Sequence, residues 1–177
     1  MGLQKPTIMS KVFIGIDNGA TGTIGIISPA KVTGPDLTML VHTPANEEQD
    51  YQTSKKTIRR LNYCQFKEFI GAFKDEDVTV VMERPMVNPT RFTASASALR
   101  CHEAELIAIE ELGLKHMFID SKEWQKELLP KGIKGSAELK KASKDIGTRL
   151  FPELAKNFKH PDMDGILIAE YARRRDL

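Results

Sequence analysis

The sequence predicts an α/β fold in which a mixed five-stranded sheet is covered by helices. Three β-branched runs follow one another near the start of the chain, and further strands then alternate with helical segments. The 177 residues are 41% hydrophobic and 28% charged, which is the balance of one globular domain. We therefore expect a flexible N-terminal tail over residues 1–10 and a single domain over residues 11–177.

Strands dominate the first part of the chain. An apolar run over residues 12–17 and a second over 23–27 flank a turn rich in glycine, which predicts a hairpin. Residues 37–43 form a third apolar run. The polar stretch over 44–60 that follows is longer than an ordinary connection, and loops of that length are usually functional or mobile.

The second part of the chain alternates between helices and strands. Residues 78–82 and 116–119 are short β-branched or aromatic runs, and they complete the five strands. Apolar spacing and capping residues predict helices over residues 63–73, 93–112, 121–129, 136–150 and 161–175. A basic, glycine-flanked loop over 130–135 separates two of these helices.

Two carboxylates end predicted core strands. Asp17 follows the first strand directly, and Glu83 ends the run over 78–82. Buried carboxylates cost several kcal/mol unless they are compensated, and a divalent cation between two of them would compensate both. The alternative for Asp17 is the start of an Asx turn, and the alternative for Glu83 is an ion pair with Arg84 or another base.

Further acids open the last predicted helix. Asp162 and Asp164 fall in its first turn, where the helix dipole favours acidic residues by about 0.3–1 kcal/mol without any metal. Asp164 is followed at once by Gly165 and an apolar face, which indicates that its side chain points inward.

Three segments of the chain together resemble a known family. IGIDNGATGTIGII, VVMERP and HPDMDGILIAEYA resemble the acidic signatures of the RuvC-type Holliday-junction resolvases, and more narrowly the small RuvC-like endonucleases of phages and prophages. The resemblance extends over residues 12–175. It implies a ribonuclease H-like fold with helices on both faces, a homodimer, and hydrolytic nicking of four-way junctions and other branched DNA near the crossover.

The resemblance also implies a metal site with Mg²⁺ as cofactor, Mn²⁺ as a substitute, and two ions in each active site. By position it assigns as ligands the acids of the first and fourth strands and of the last helix, which are Asp17, Glu83 and Asp164. The family has an acid or a histidine where this chain has Pro161. Either Asp162 or His160 supplies a fourth ligand, or the site has three ligands only, and we favour Asp162.

Carboxylates suit this chemistry because hydrolysis of a phosphodiester needs an activated water and a stabilised leaving 3′-oxygen. Two metal ions about 3.5–4 Å apart supply both. The sequence has no Ser/His/Asp or Cys/His arrangement that would indicate a covalent nucleophile. Direct attack by water is therefore the expected reaction, with Asp17, Glu83, Asp162 and Asp164 as the catalytic acids.

Positive charge is segregated along the chain, although the total is only +2. Residues 54–60 and 121–150 each carry +4, so the remaining chain carries −6. Basic stretches of this kind make phosphate contacts, although each could instead be a solvated face. The predicted basic DNA contacts are Lys55, Lys56, Arg59, Arg60, Arg91, Lys126, Lys134, Lys140 and Lys141. The resemblance adds Met86, at the position where the family has an apolar residue near the junction crossover. The resemblance gives Lys126 a further, catalytic role at the scissile phosphate.

Two other functions compete with this hypothesis. A non-catalytic junction-binding module would keep the same fold, and Pro161 leaves that option open. An actin-like ATPase or sugar kinase would share the phosphate-loop character of GIDNGATGT, but such proteins need two such domains to close on a nucleotide. We therefore expect no nucleotide cofactor. No apolar run approaches the roughly 18 residues of a membrane span, and no secretory signal is visible, so the expected location is the cytoplasm, that of the bacterial host if the gene belongs to a phage.

Overall fold

The structure is a computed structural model that describes residues 11–30 and 35–177. The predicted tail over residues 1–10 lies outside the described residues. The described strands are β1 Lys11–Ile16, β2 Thr23–Ser28, β3 Leu37–His42, β4 Ala45–Gln49, β5 Thr57–Leu61, β6 Asp77–Glu83 and β7 Lys115–Ile119. The described helices are α1 Tyr63–Gly71, α2 Phe92–Glu111, α3 Ser121–Leu128, α4 Ser136–Leu150, α5 Pro152–Asn157 and α6 Asp164–Arg175.

Five of these strands form one mixed sheet in the order β3-β2-β1-β6-β7. The pairs β1–β2 and β2–β3 are antiparallel, whereas β1–β6 and β6–β7 are parallel. The parallel pairs require crossover connections, and α1 and α2 lie in those connections. The predicted mixed five-stranded sheet is confirmed.

Side chains alternate along the central strands and build a core on each face of the sheet. Along β1, Val12, Ile14 and Ile16 pack with α1 and α2. Phe13 points to the opposite face, where it packs with α3, α4 and α6. Helices therefore cover both faces, as predicted. The helices of the described ranges include none that is long and apolar enough to cross a membrane.

Helix α6 lies in direct backbone contact with the central hairpin because three glycines allow it. A Cβ atom at Gly15 would lie 2.3 Å from the Ala169 nitrogen, and one at Gly25 would lie 2.3 Å from the Ile166 nitrogen. A Cβ atom at Gly165 would lie 2.6 Å from the Thr23 carbonyl oxygen. Any larger residue would push the start of α6 away from the ends of β1 and β2.

Three features differ from the sequence predictions. Residues 44–60, predicted as a long loop, contain the antiparallel pair β4–β5, whose glutamates and arginines form a polar two-stranded sheet. Helix α5 was not predicted. The last helix begins at Asp164 rather than at Pro161, because the segment before it is held by contacts of His160 and Asp162 instead of helical hydrogen bonds.

Candidate metal centre

The sheet brings the first two acids together. Ile16 of β1 pairs with Met82 of β6 in parallel register, and the next residues along the two strands are Asp17 and Glu83. Alternation turns both carboxylates to the α6 face of the sheet. Two neighbouring parallel strands therefore end in an acid at the same edge, as the sequence predicted.

Thr23 fixes the third acid opposite this edge. Its carbonyl oxygen accepts a hydrogen bond from the Asp17 N–H at 3.0 Å, and its hydroxyl accepts one from the Gly165 N–H at 2.9 Å. Thr23 is completely buried at the start of β2. One residue, through its backbone carbonyl and its hydroxyl, therefore ties the end of β1 to the first turn of α6, where Asp164 is the first helical residue.

Three carboxylates converge at this point. Asp17, Asp162 and Asp164 each present an oxygen, and these oxygens all lie within 4.8 Å of one another. Asp162 is 1% exposed, and Asp17 and Asp164 are partly buried. Glu83 lies close enough for its charge to act on both Asp17 and Asp164. The structure thus brings three of the four acids predicted as metal ligands within 4.8 Å of one another, with Glu83 close enough to interact with them electrostatically.

Crowding of these acids raises their pKa values. Burial, followed by the charges of Asp164, Glu83 and Asp162, raises the pKa of Asp17 well above its ordinary value. Burial and the neighbouring Asp162 charge raise the pKa of Asp164 to about 7, against the opposing hydrogen bond from Ser143. Such shifts mean that the cluster lacks enough positive charge of its own to keep every carboxylate ionised.

Glu83 is oriented by a tryptophan. The Trp124 Nε1–H donates a hydrogen bond to Glu83 Oε2 at 2.7 Å, and the indole is completely buried in the core. Burial raises the pKa of Glu83, and this hydrogen bond partly offsets the rise. Arg84, the alternative partner that the sequence suggested, forms an ion pair with Asp120 at 3.2 Å instead.

Asp162 has two partners outside the cluster. Lys140 Nζ lies 3.3 Å from its Oδ2, and His160 Nδ1 lies 3.1 Å from its Oδ1. The other ring nitrogen of His160 lies 3.1 Å from the Thr21 carbonyl oxygen. Both nitrogens of His160 are therefore engaged, so the geometry favours Asp162 over His160 as the fourth ligand.

Four of the predicted basic residues lie on α3, on α4 or in the loop between these helices. Lys140 is the lysine that reaches the acids, through Asp162, and its charge lowers the pKa of Asp17 and Asp164. Lys126 borders a separate surface cavity of about 380 Å³ with Lys122 and Lys131, and no described contact joins it to the carboxylates. Lys134 is exposed in the loop before α4, and Lys141 is exposed on α4 itself.

The remaining predicted DNA contacts lie on either side of the acids. Met86, 78% exposed, and Arg91 line a cavity of about 270 Å³ that also includes Glu83. Four exposed bases lie in the turn and second strand of the β4–β5 pair, namely Lys55, Lys56, Arg59 and Arg60. Part of their charge is neutralised, because Arg60 forms an ion pair with Glu48. Arg59 lies opposite Glu47 in the strand register but forms no ion pair with it.

Besides Trp124, two residues that shape this site could not be predicted from the sequence. Thr23 is the first residue of β2, and nothing in its sequence context separates it from an ordinary strand threonine. The Ser143 hydroxyl of α4 donates to Asp164 Oδ1 and accepts a hydrogen bond from the Met163 N–H at 3.1 Å. Ser143 is fully buried on a helix whose exposed face is basic. Its role follows only from how α4 packs on α6.

The donor set fits a divalent cation. It consists of carboxylate oxygens from the residue after β1, from the first residue of α6 and from the segment before α6, in a partly buried pocket where Lys140 pairs with Asp162. Mg²⁺ binds carboxylate oxygens of this kind. Its positive charge would also offset the repulsion among the carboxylates, which is one cause of their raised pKa values.

The sheet order and the helices on both faces define a mixed α/β fold, and the acids near the strand ends give it a candidate divalent-metal centre. The chain is similar to the structure of Thermus thermophilus RuvC at 16% sequence identity and a TM-score of 0.54, over 93% of this chain and 96% of that chain. It is also similar to T. thermophilus RuvC in complex with a Holliday junction substrate, at 16% identity and a TM-score of 0.56, over 94% and 96% of the two chains. No family model and no curated protein sequence matches the chain.

Proposed function

We propose that this protein is a metal-dependent endonuclease that nicks four-way junctions and other branched DNA. The observation that carries the proposal is the convergence of Asp17, Asp162 and Asp164, with Glu83 beside them, on a fold similar to that of a RuvC bound to a Holliday junction. In this assignment the four acids bind two Mg²⁺ ions, for which Mn²⁺ substitutes.

When bound, the metal ions would activate water and stabilise the leaving 3′-oxygen. The residues of the chain hold and orient the ligands. Trp124 fixes Glu83, Ser143 fixes Asp164, and Lys140 together with His160 fixes Asp162. Such outer partners set the geometry and the basicity of metal ligands.

DNA would approach across the basic and apolar surfaces beside the acids. Met86 and Arg91 border Glu83 on one side, and Lys140 lies beside Asp162 on the other. Lys126 and Lys134 lie farther out, so in this proposal they contribute phosphate contacts rather than chemistry. Phosphate contacts of this kind make affinity strongly dependent on salt.

The proposal includes a homodimer, because α2 carries an exposed apolar stripe. Phe92 and Leu99 lie seven residues apart, and their side chains are 73% and 46% exposed. Residues seven positions apart lie on the same face of a helix, so this face can pack against the same face of α2 in a second copy of the chain. Leu99→Glu is expected to shift the protein from dimer to monomer in sedimentation velocity. An unchanged sedimentation coefficient would exclude this face.

The central test uses synthetic four-way junctions and matched linear duplexes with Mg²⁺ or with EDTA. We expect nicking of the junction only, with Mg²⁺ only, and its loss in Asp17→Asn. Asp145→Asn on the exposed side of α4 makes the same change of charge away from the site and should cut normally. Junction binding without nicking would favour the non-catalytic module, and ATP turnover would favour the kinase-like alternative.

A further inference from the structure

A large cavity of about 660 Å³ lies away from the acids, between the β4–β5 pair and α2. Its walls include Tyr51 and Arg59 from the β4–β5 segment and Arg100 from α2. The proposed metal chemistry uses none of these residues. We call this cavity the hairpin groove.

An aromatic ring surrounded by guanidinium groups is the main feature of the hairpin groove. Tyr51 is 61% exposed, and the guanidinium carbons of Arg60 and Arg100 lie 5.6 Å and 5.3 Å from its ring centroid. Proteins that bind single-stranded nucleic acid combine an aromatic platform for a base with positive charge along the backbone. The groove offers both in one place.

Part of the positive charge in the groove is uncompensated. Arg60 is paired with Glu48, and Glu103 is the acid on the α2 side. Arg59 and Arg100 form no ion pair with any residue in the described part of the chain. Two guanidinium groups are therefore available to an anionic ligand.

The hairpin groove leads towards the acids. Arg59 also borders a second cavity, of about 530 Å³, together with His42, Gln65 and His160. His160 is the residue whose Nδ1 contacts Asp162. The two cavities therefore trace a path with basic and polar walls from Tyr51 to the edge of the carboxylate cluster.

We propose that the hairpin groove binds an unpaired DNA strand, with a base stacked on Tyr51 and phosphates on Arg59 and Arg100, and that this strand continues to the acids. The inference rests on the proposed function and narrows its substrate class to branched DNA with unpaired nucleotides beside the branch point. Leu99 of the proposed dimer stripe also lines the groove, so the groove borders the dimer face, whereas its opposite wall, with Tyr51 and Arg59, belongs to the β4–β5 segment.

The test measures binding of a fluorescein-labelled thymidine oligonucleotide by anisotropy, in EDTA so that no cutting occurs. Tyr51→Ala should weaken binding by about 5- to 150-fold, the effect of losing one base–aromatic stacking contact. Tyr51→Phe keeps the ring and should bind nearly as well as the unsubstituted protein. Leu37→Ala removes a side chain of similar exposure, 52%, from the edge strand β3 and is the matched control.

A second measurement separates this inference from the proposed function. Nicking is compared on a fully paired junction and on the same junction with unpaired nucleotides at the crossover, and Tyr51→Ala should lose more activity on the second. Oligonucleotide binding that is unchanged in Tyr51→Ala overturns the inference, even if junctions are cut. Binding that depends on Tyr51 in a protein that cuts no junction overturns the proposed function alone.

Arg100→Gln keeps the inference testable if Tyr51→Ala does not fold. In this variant, the slope of the logarithm of the binding constant against the logarithm of the salt concentration should be smaller by about one. That change is expected for the loss of one phosphate contact. An unchanged slope would contradict the proposed path of the strand.

Discussion

Trp124 donates its indole N–H to the Glu83 carboxylate over 2.7 Å, joining α3 to the end of β6. The indole is also fully buried in the core. It therefore has two roles, because its ring packs against the sheet and its single polar atom orients an acid of the proposed metal site. The sequence analysis left this second role unrecognised.

The first prediction concerns this contact. Trp124→Phe keeps an aromatic ring in the core but removes the donor, so Glu83 loses its hydrogen bond. We expect the Mg²⁺ concentration needed for half-maximal nicking to rise by about 10- to 100-fold, the usual effect of removing an outer partner of a metal ligand. Phe66→Leu is the control, because it disturbs the core on the other face of the sheet. A Trp124→Phe protein with unchanged Mg²⁺ dependence would contradict the role assigned to the indole.

The second prediction concerns pH. Burial and neighbouring acids raise the pKa of Asp164 to about 7, above its value of about 4 in the unfolded chain. Between these values the folded protein binds more protons than the unfolded one, so without metal the free energy of unfolding falls as pH rises from about 4 to about 7. Urea denaturation in EDTA at several pH values measures this loss, which we expect to reach at most about 4 kcal/mol.

Two controls identify the source of that pH dependence. Asp164→Asn cannot ionise and should make the curve shallower, with the remaining slope due to the raised pKa values of Asp17 and Glu83, whereas Asp145→Asn should leave the curve unchanged. Added Mg²⁺ should restore stability at high pH, because the metal binds the ionised carboxylates. A wild-type curve without metal that matches the Asp164→Asn curve would show that Asp164 does not carry the effect.

The third prediction separates two lysines. Lys140 contacts Asp162 directly, and Lys126 lies on another surface beside Lys122 and Lys131. Lys140→Ala should therefore lower the nicking rate under saturating DNA by about 10- to 100-fold. Lys126→Ala should weaken DNA binding and lower the salt dependence of the binding constant by about one unit of log–log slope. The Mg²⁺ concentration needed for nicking should stay the same. The reverse result would restore the catalytic role that the family resemblance assigns to Lys126.

The fourth prediction concerns the contact between α6 and the central hairpin. Gly15→Ala would place a Cβ atom 2.3 Å from the backbone of Ala169, so we expect a loss of about 1–3 kcal/mol or more in the free energy of unfolding. Gly71→Ala is the matched change, since its Cβ would lie 3.3 Å from a Leu112 side chain that is able to move. Urea denaturation should show that Gly71→Ala has little effect. Equal free energies of unfolding for the two variants would mean that α6 can move away from Gly15 without a loss of stability.

Much of the fold could be predicted because its signals are local. The apolar runs of β1, β2 and β6 are short, rich in β-branched residues and bounded by turns, and the capping of α3 by Asp120 and Glu123 is a pattern within four residues. The β4–β5 pair could not be predicted, because it lacks such a local signal. Its strands are polar on both faces, so no alternation of apolar and polar residues marks them.

The sequence by itself determined which acids were available and that Asp17 and Glu83 end core strands, because strand identity and residue type are local properties. Only the tertiary structure decided how these acids meet. Gly15, Gly25 and Gly165 let α6 contact the sheet, Thr23 ties Asp17 to the start of that helix, and Ser143 and Trp124 orient carboxylates from separate helices. These are contacts between residues far apart in the chain, and no local pattern encodes them. The same packing turned Lys140 towards the acids and Lys126 away from them.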